Sequence, residues 1–369
     1  MKMGRWAARG RMWAGRGLWG LCGLVLFLMA LSLMRTGAAA GVPAGATVGP
    51  APSPARALAW GWLMAGLALS GSPVAAAAVS LQDAGVLSPA AALAMLTGSR
   101  LGASWGLFLI GGIYALRRGS PRNSMAAGLV TFWVTATMAV PALALGLWLL
   151  RLGLPGPLRG PIPAFPAGVA LLRPLTVGLA EGVRASLRAL WGGPPPEGVV
   201  GGILFVLGFG LAALALGALD RAAPLPPAGA GAADPPEGSP WPMFGLGLLV
   251  TAMTMSVSAS VGWLVPPVAR GWVHRERLIP YVMGANITTF LDTLLAALLL
   301  GNPAAVRVVL VQILSLALVA LGVLGFGYRP YRGLLRWLFA RTAGRPLAWG
   351  LFLLAFLALP LALLTLPGV

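Results

Sequence analysis

Apolar runs long enough to cross a bilayer, about 20 residues each, recur along the chain. They fall at 18–34, 88–116, 123–150, 198–219, 278–300, 306–326 and 346–366. Polar positions gather between these runs and do not alternate within them, so no barrel strand is visible. A backbone in lipid must satisfy its own hydrogen bonds, and helices are the remaining solution. The pattern predicts an all-α, polytopic membrane protein. Two further apolar stretches, 57–82 and 243–268, are interrupted near the middle by Ser70-Gly71-Ser72-Pro73 and by Met255-Ser256-Val257-Ser258. In the first, proline breaks the helix and glycine permits a turn. Each stretch reads as a re-entrant helical hairpin with its polar interruption at the tip.

Internal repetition sharpens this picture. A shift of 186 residues places Ser70 on Ser256, Ser72 on Ser258, Gly85 on Gly271 and Gly98 on Gly284. The chain then divides into a first copy (1–150), a connecting segment (151–197) and a second copy (198–369). The run 198–219 falls on the first run, which argues that 18–34 is a retained helix. Lys2, Arg5, Arg9, Arg11 and Arg16 before it, and the small residues 38–40 after it, also fit a signal peptide. Residues 151–166 are rich in Pro and Gly. Residues 168–191 carry Arg173, Glu181, Arg184 and Arg188 among apolar positions, as an amphipathic helix lying in the membrane interface does. Residues 221–240 read as a flexible linker.

Charge sets the orientation. Only 9% of residues are charged, against about a quarter in soluble domains. The net charge of +18 comes mainly from arginines in the N-terminus and between apolar runs. That placement serves orientation and contact with lipid head groups and implies no nucleic-acid partner. The basic N-terminus, the loop 117–122 and the loop 327–345 are expected on the cytoplasmic side of a cell membrane, the inner membrane of a prokaryote. The hairpin 57–82 then enters and leaves from outside, 243–268 from the cytoplasm, and the two copies are inverted repeats. The lone Cys22 and lone His274 give no metal spacing. No P-loop, HExxH or serine elbow is present, so no enzyme is expected.

Polar groups inside a bilayer are costly and are the default functional candidates. The first copy offers Ser70 and Ser72, then Thr97-Gly98-Ser99-Arg100-Leu101-Gly102-Ala103-Ser104. The second offers Thr251, Thr254, Ser256, Ser258 and Ser260, then Gly284-Ala285-Asn286-Ile287-Thr288-Thr289, with Asp292 and Thr293 beyond. Broken helices expose N–H groups that attract anions, while freed carbonyls and hydroxyl or amide oxygens suit a hard cation. Small polar residues also serve close helix packing, and that reading stands beside the first. Arg100 and Asp292 lie deep in apolar runs, where a charge needs a partner. They pair with each other or with head groups, or Arg100 binds an anionic substrate and Asp292 a coupling ion. Thr288, Thr289 and Asp292 would share one helix face.

These residues resemble the sodium-dependent phosphate cotransporter family. That family carries, twice, a Gln-Ser-Ser-Ser type hairpin followed by a helix beginning Gly-Ala-Asn-Ile-Gly-Thr-Thr. The second copy matches with Met255 to Ser260 and Gly284 to Thr289, and the first more loosely with Leu69 to Pro73 and Gly98 to Ser104. The resemblance implies a secondary transporter of phosphate or a related small oxyanion, sodium-coupled, working by alternating access. Ser70, Ser72, Ser99, Arg100, Ser256, Ser258 and Asn286 would face the anion. Ser260, Thr288, Thr289 and Asp292 would face the coupling ion, Na+, with no other cofactor. A homodimer is compatible. The departures are Leu69 and Met255 at the hairpin Gln positions, Arg100 at the first-copy Asn position and no Gly after Ile287. A fixed cation at 100 could replace a bound one, leaving flux indifferent to sodium. The alternative is a non-transporting or uncoupled member of the fold, acting as a membrane sensor or complex subunit.

Overall fold

In the computed structural model, helices account for nearly all of the described residues, which are 2–40, 52–118, 121–154, 166–222, 239–262, 264, 268, 273–343 and 346–365. The first copy holds α1 (Lys2–Ala40), α2 (Pro54–Ala68), α3 (Ser72–Asp83), α4 (Pro89–Arg118) and α5 (Pro121–Arg151). The connecting segment holds α6 (Pro166–Trp191). The second copy holds α7 (Glu197–Ala222), α8 (Trp241–Thr254), α9 (Val257–Gly262), a 3-10 turn (Arg275–Arg277), α10 (Leu278–Thr288), α11 (Leu291–Leu300), α12 (Pro303–Gly322), α13 (Tyr328–Ala343) and α14 (Pro346–Thr365). Six segments among the described residues are long and apolar enough to span a membrane: 17–38, 127–151, 197–215, 275–300, 303–342 and 348–365. The chain is thus multi-pass by length and composition. The segment 275–300 is the most enclosed, 72% buried, against 17% for 348–365. The outer helix α14 is exposed on most sides, while α10 and α11 form the centre.

Local packing repeats at the expected offset. α2 lies along α4 because Gly61 leaves room for the Met95 carbonyl, which a side chain there would overlap, and Gly98 does the same for the Leu58 carbonyl. In the second copy Gly247 meets the Tyr281 carbonyl and Gly284 the Phe244 carbonyl. Each of the four pairs has its counterpart 186 residues away. The two interruptions also correspond. α2 ends at Leu69 (φ 53°) and α8 at Met255 (φ 51°), and these are the only non-glycine residues with positive φ among those described. Helix α1 packs along α7, with Gly37 against the backbone of Gly201 and Phe205, and Gly208 against Ala30 and Met34.

The ends of the elements are tied on two sides. On one side, Asp83 at the end of α3 takes Arg35 of α1 at 2.7 Å and the Asn302 amide at 2.7 Å. Asn302 also caps α12 through Ala304 and Ala305. On the other, Glu276 ahead of α10 is clamped by Arg336 of α13 at 2.6 and 2.7 Å.

Two expectations about chain breaks need correction. Within the expected loop 327–345, residues 327–343 are helical: α12 continues through a π-helical turn (Val323–Gly327) into α13. Pro330 has no N–H to give Phe326, and a local widening of the helix absorbs that missing bond without ending the helix. The arginines expected in the loop therefore ride on a helix, of which Arg336 binds Glu276. Conversely, 278–300 is not one helix. A turn at Thr289 and Phe290 divides it, so Thr288, Thr289 and Asp292 do not share a continuous helical face. The linker segments 155–165 and 223–238, and Gly271, lie outside the described residues, as do the side chains of Arg117, Arg118 and Arg122.

Candidate functional site

Arg100 is the centre of the site. It sits in the middle of α4 with 6% exposure, and its guanidinium crosses from the first copy into the second. Nη1 donates to the Thr289 hydroxyl at 2.6 Å, and the guanidinium lies 5.1 Å from the centre of the Phe290 ring. Thr289 and Phe290 form the turn between α10 and α11, so the break in the expected helix is what receives the arginine. Gly71, just before α3, completes the seat: any Cβ there would overlap Nη2. Asp292, 3% exposed, opens α11 within electrostatic reach of Arg100. Its Oδ1 accepts from the Thr293 hydroxyl at 2.8 Å and from the Thr293 N–H, and Ser72 faces the same carboxylate. Asp292 Oδ2 and Arg100 Nε are buried without a hydrogen-bond partner.

Asn286 stands at the position equivalent to Arg100, 186 residues on, and lines the same small cavity. The cavity is lined by Arg100, Ala103, Ser104 and Leu107 of α4, Thr131 and Thr135 of α5, Val257 of α9 and Asn286 of α10. Its volume, about 10 Å³ to the centre of a water-sized sphere, is room for roughly one water. Asn286 Nδ2 donates to the Thr135 hydroxyl at 3.0 Å. Val257 occupies the place that Gly71 has in the first copy. A short amide pairs with a valine and a long guanidinium with a glycine, so side-chain length at one position is matched by space at the other.

Four of the expected residues thus meet around one guanidinium: Ser72, Arg100, Thr289 and Asp292. Asn286 lines the same cavity as Arg100. Others go elsewhere. Ser99 donates to the Leu96 carbonyl of its own helix at 2.7 Å. Thr288 donates to the Leu248 carbonyl at 2.9 Å, fixing α10 to α8 where the first copy has Gly102 against the Trp62 carbonyl. Ser260 forms a separate buried group with the hydroxyls of Thr251 (2.6 Å) and Tyr281 (2.8 Å). The four residues expected to face a cation are therefore divided among three places. Ser70 lies half-buried at the first interruption, its N–H donating to the Ala65 carbonyl at 3.2 Å. Ser256 begins the second, its carbonyl accepting from Thr254 and Ser260. The side chain of Ser258 lies outside the described residues. Thr131 and Thr135 were not anticipated. Their spacing of four in an apolar helix puts two hydroxyls on one face, and that signal was present in the sequence.

The arrangement provides a fixed positive charge, hydroxyl and amide groups, and helix interruptions near a tight space. These are the parts needed to hold a small anion out of water. Comparison of the chain with protein-family models, with curated proteins and with solved structures finds no match.

Proposed function

We propose that this protein is a secondary transporter of inorganic phosphate or a related small oxyanion, working by alternating access between two inverted repeats. The observation that carries this reading is the meeting of Arg100 and Asn286, equivalent positions of the two copies, in the lining of one cavity. A site at a repeat interface, beside interrupted helices, is the arrangement by which rocking of one repeat against the other exposes a ligand to alternate sides.

The course of the helices supports the inversion. α4 starts near Asp83 and runs away from it, whereas α10 and α11 run from Glu276 toward Asn302, which bonds Asp83. α2 lies parallel to α4, judged by the order of its glycine contacts, so α2 starts and α3 ends on the Asp83 side. That is the course of a re-entrant hairpin. The opposite side collects the start of α1, the junction of α4 with α5 and the arginines of α13, so the positive-inside rule makes it cytoplasmic. An inner cell membrane is the setting we assign.

Sodium coupling has less support than anion binding, because the expected cation ligands are divided among three places and a guanidinium already stands at the first-copy position. A second reading, a sensor or complex subunit without flux, draws support from the tightness of the cavity. Radiolabelled phosphate uptake into proteoliposomes, with and without an inward sodium gradient, decides between them. Uptake or exchange above protein-free vesicles is expected. A folded protein with no flux and no phosphate binding would sink the transporter reading.

A further inference from the structure

We propose that Asp292 is a built-in stand-in for the transported anion: it neutralises Arg100 while the site is empty and yields Arg100 to the anion when one binds. The inference rests on the transporter reading and assigns Asp292 a role other than holding a coupling ion.

Three observations carry it. Arg100 and Asp292 are each less than a tenth exposed, and each is the one charged group that acts on the other among the described residues. Asp292 also sits where an anion would. Its carboxylate faces Ser72 in the first turn of the twelve-residue helix α3, where N–H groups and the helix dipole favour negative charge. Finally, the contact is incomplete. No ion pair within 4.0 Å joins the two, Thr289 takes the Nη1 bond, and Asp292 Oδ2 and Arg100 Nε have no hydrogen-bond partner. A carboxylate bound fully to the guanidinium would exclude a ligand. One held nearby, with Arg100 also lining the cavity, can be displaced.

Charge bookkeeping gives the consequence. Arg100 and Asp292 sum to zero, so the empty protein changes conformation without carrying net charge through lipid. With a monovalent oxyanion bound the site carries one negative charge. Net uptake is then driven by an inside-positive membrane potential and requires no sodium. Without the carboxylate the empty site would carry the full charge of Arg100 through its return step, where an unpaired charge in the bilayer is strongly disfavoured.

The test uses the full chain in sodium-free proteoliposomes, with radiolabelled phosphate as probe. Net uptake into phosphate-free vesicles is compared with exchange into phosphate-loaded ones, at potentials set by potassium and valinomycin. For the natural protein, net uptake should proceed at no less than about a tenth of the exchange rate and rise several-fold at inside-positive potential. In Asp292→Asn the ratio of net uptake to exchange should fall at least tenfold, and Asp292→Glu should restore it. Net uptake that needs sodium, or that ignores potential, would overturn the inference while leaving the transporter reading intact. So would an unchanged ratio in Asp292→Asn. If both variants prove inert, exchange by the natural protein decides alone: an imposed potential alters its rate when the loaded site carries the charge, as proposed, and leaves it unchanged when the empty site carries it, which would overturn the inference. Absence of both exchange and uptake in the natural protein would overturn the transporter reading itself, and this inference with it.

Discussion

The two interruptions differ by one exchange of size for charge. In the second, Asn286 faces the cavity beside Val257, and its amide is held by Thr135. In the first, Arg100 takes the asparagine position and Gly71 the valine position. Two backbone features recur around both: left-handed residues at 69 and 255, and glycine contacts repeated at one offset. The two halves share these packing features and differ in chemistry at this pair of positions. A neutral amide can share in binding either sign of ion, whereas a guanidinium commits its half to anions. The comparison thus predicts that the two halves contribute unequally to ligand binding but equally to stability of the frame.

Removing Arg100 is the most severe way to break the comparison. Arg100→Ala leaves Asp292 buried without its countercharge; the two are not in direct contact, so the cost stays below the roughly 3–5 kcal/mol of a broken buried ion pair. It also removes the only cation among the described residues that line the cavity, so the phosphate KM should rise by about a hundredfold or more. The counterpart Asn286→Ala loses one neutral hydrogen-bonding group, worth about 0.5–1.5 kcal/mol, and its KM should rise about tenfold at most. Thermal unfolding in detergent and flux in proteoliposomes measure both. Equal KM effects at 100 and 286 would mean that the halves bind alike and that the arginine is structural.

The next effects test the shared frame. A Cβ at Gly61 would overlap the Met95 carbonyl, and one at Gly247 the Tyr281 carbonyl. Both obstacles are backbone, which cannot turn aside. Gly61→Ala and Gly247→Ala should each destabilise by about 1–3 kcal/mol and by similar amounts, read as matching losses in unfolding temperature. A neutral result at either would break the equivalence of the copies. Gly71→Ala meets the movable end of Arg100 and so should spare stability more. It pushes the guanidinium from its seat, and phosphate KM should rise about tenfold, near 1.4 kcal/mol. Val257→Ala, which only enlarges the cavity, should stay within about threefold. A Gly71→Ala protein with unaltered KM would show that the seat of Arg100 is not the binding position.

Much of the frame was legible because it is written in small residues. Gly98 and Gly284 share an offset since each must let α4 or α10 approach a neighbouring backbone, and Ser70-Gly71-Ser72-Pro73 cannot continue a helix. The turn at Thr289 and Phe290 was not legible. Neither residue breaks helices locally, and the turn is met by Arg100, almost two hundred positions away in the sequence. The continuation through Pro330 was hidden for the converse reason: a proline and an arginine-rich stretch read as a loop unless a π-helical turn absorbs the missing donor. Thr131 and Thr135 escaped notice because they lie on α5, outside both polar clusters. Only the fold sets that helix against Asn286.

The smallest effect expected is a gain at the two left-handed residues. Leu69 and Met255 hold φ near 50°, where a side chain is disfavoured by about 1–2 kcal/mol. Glycine removes that strain but gives the unfolded chain more freedom, returning about 0.5–1 kcal/mol. Leu69→Gly and Met255→Gly should each stabilise by at most about 1.5 kcal/mol, the difference of those two terms. Leu69 is 42% exposed, so little buried surface is lost to offset the gain. Unfolding temperatures should rise by similar small amounts in both variants. If Leu69→Gly gains and Met255→Gly loses, the Met255 side chain has packing that outweighs its strain, and the second interruption is braced by contacts the first lacks. That outcome would extend the difference between the halves from their chemistry to their mechanics, with the asparagine-bearing half as the rigid one and the arginine-bearing half as the one free to move.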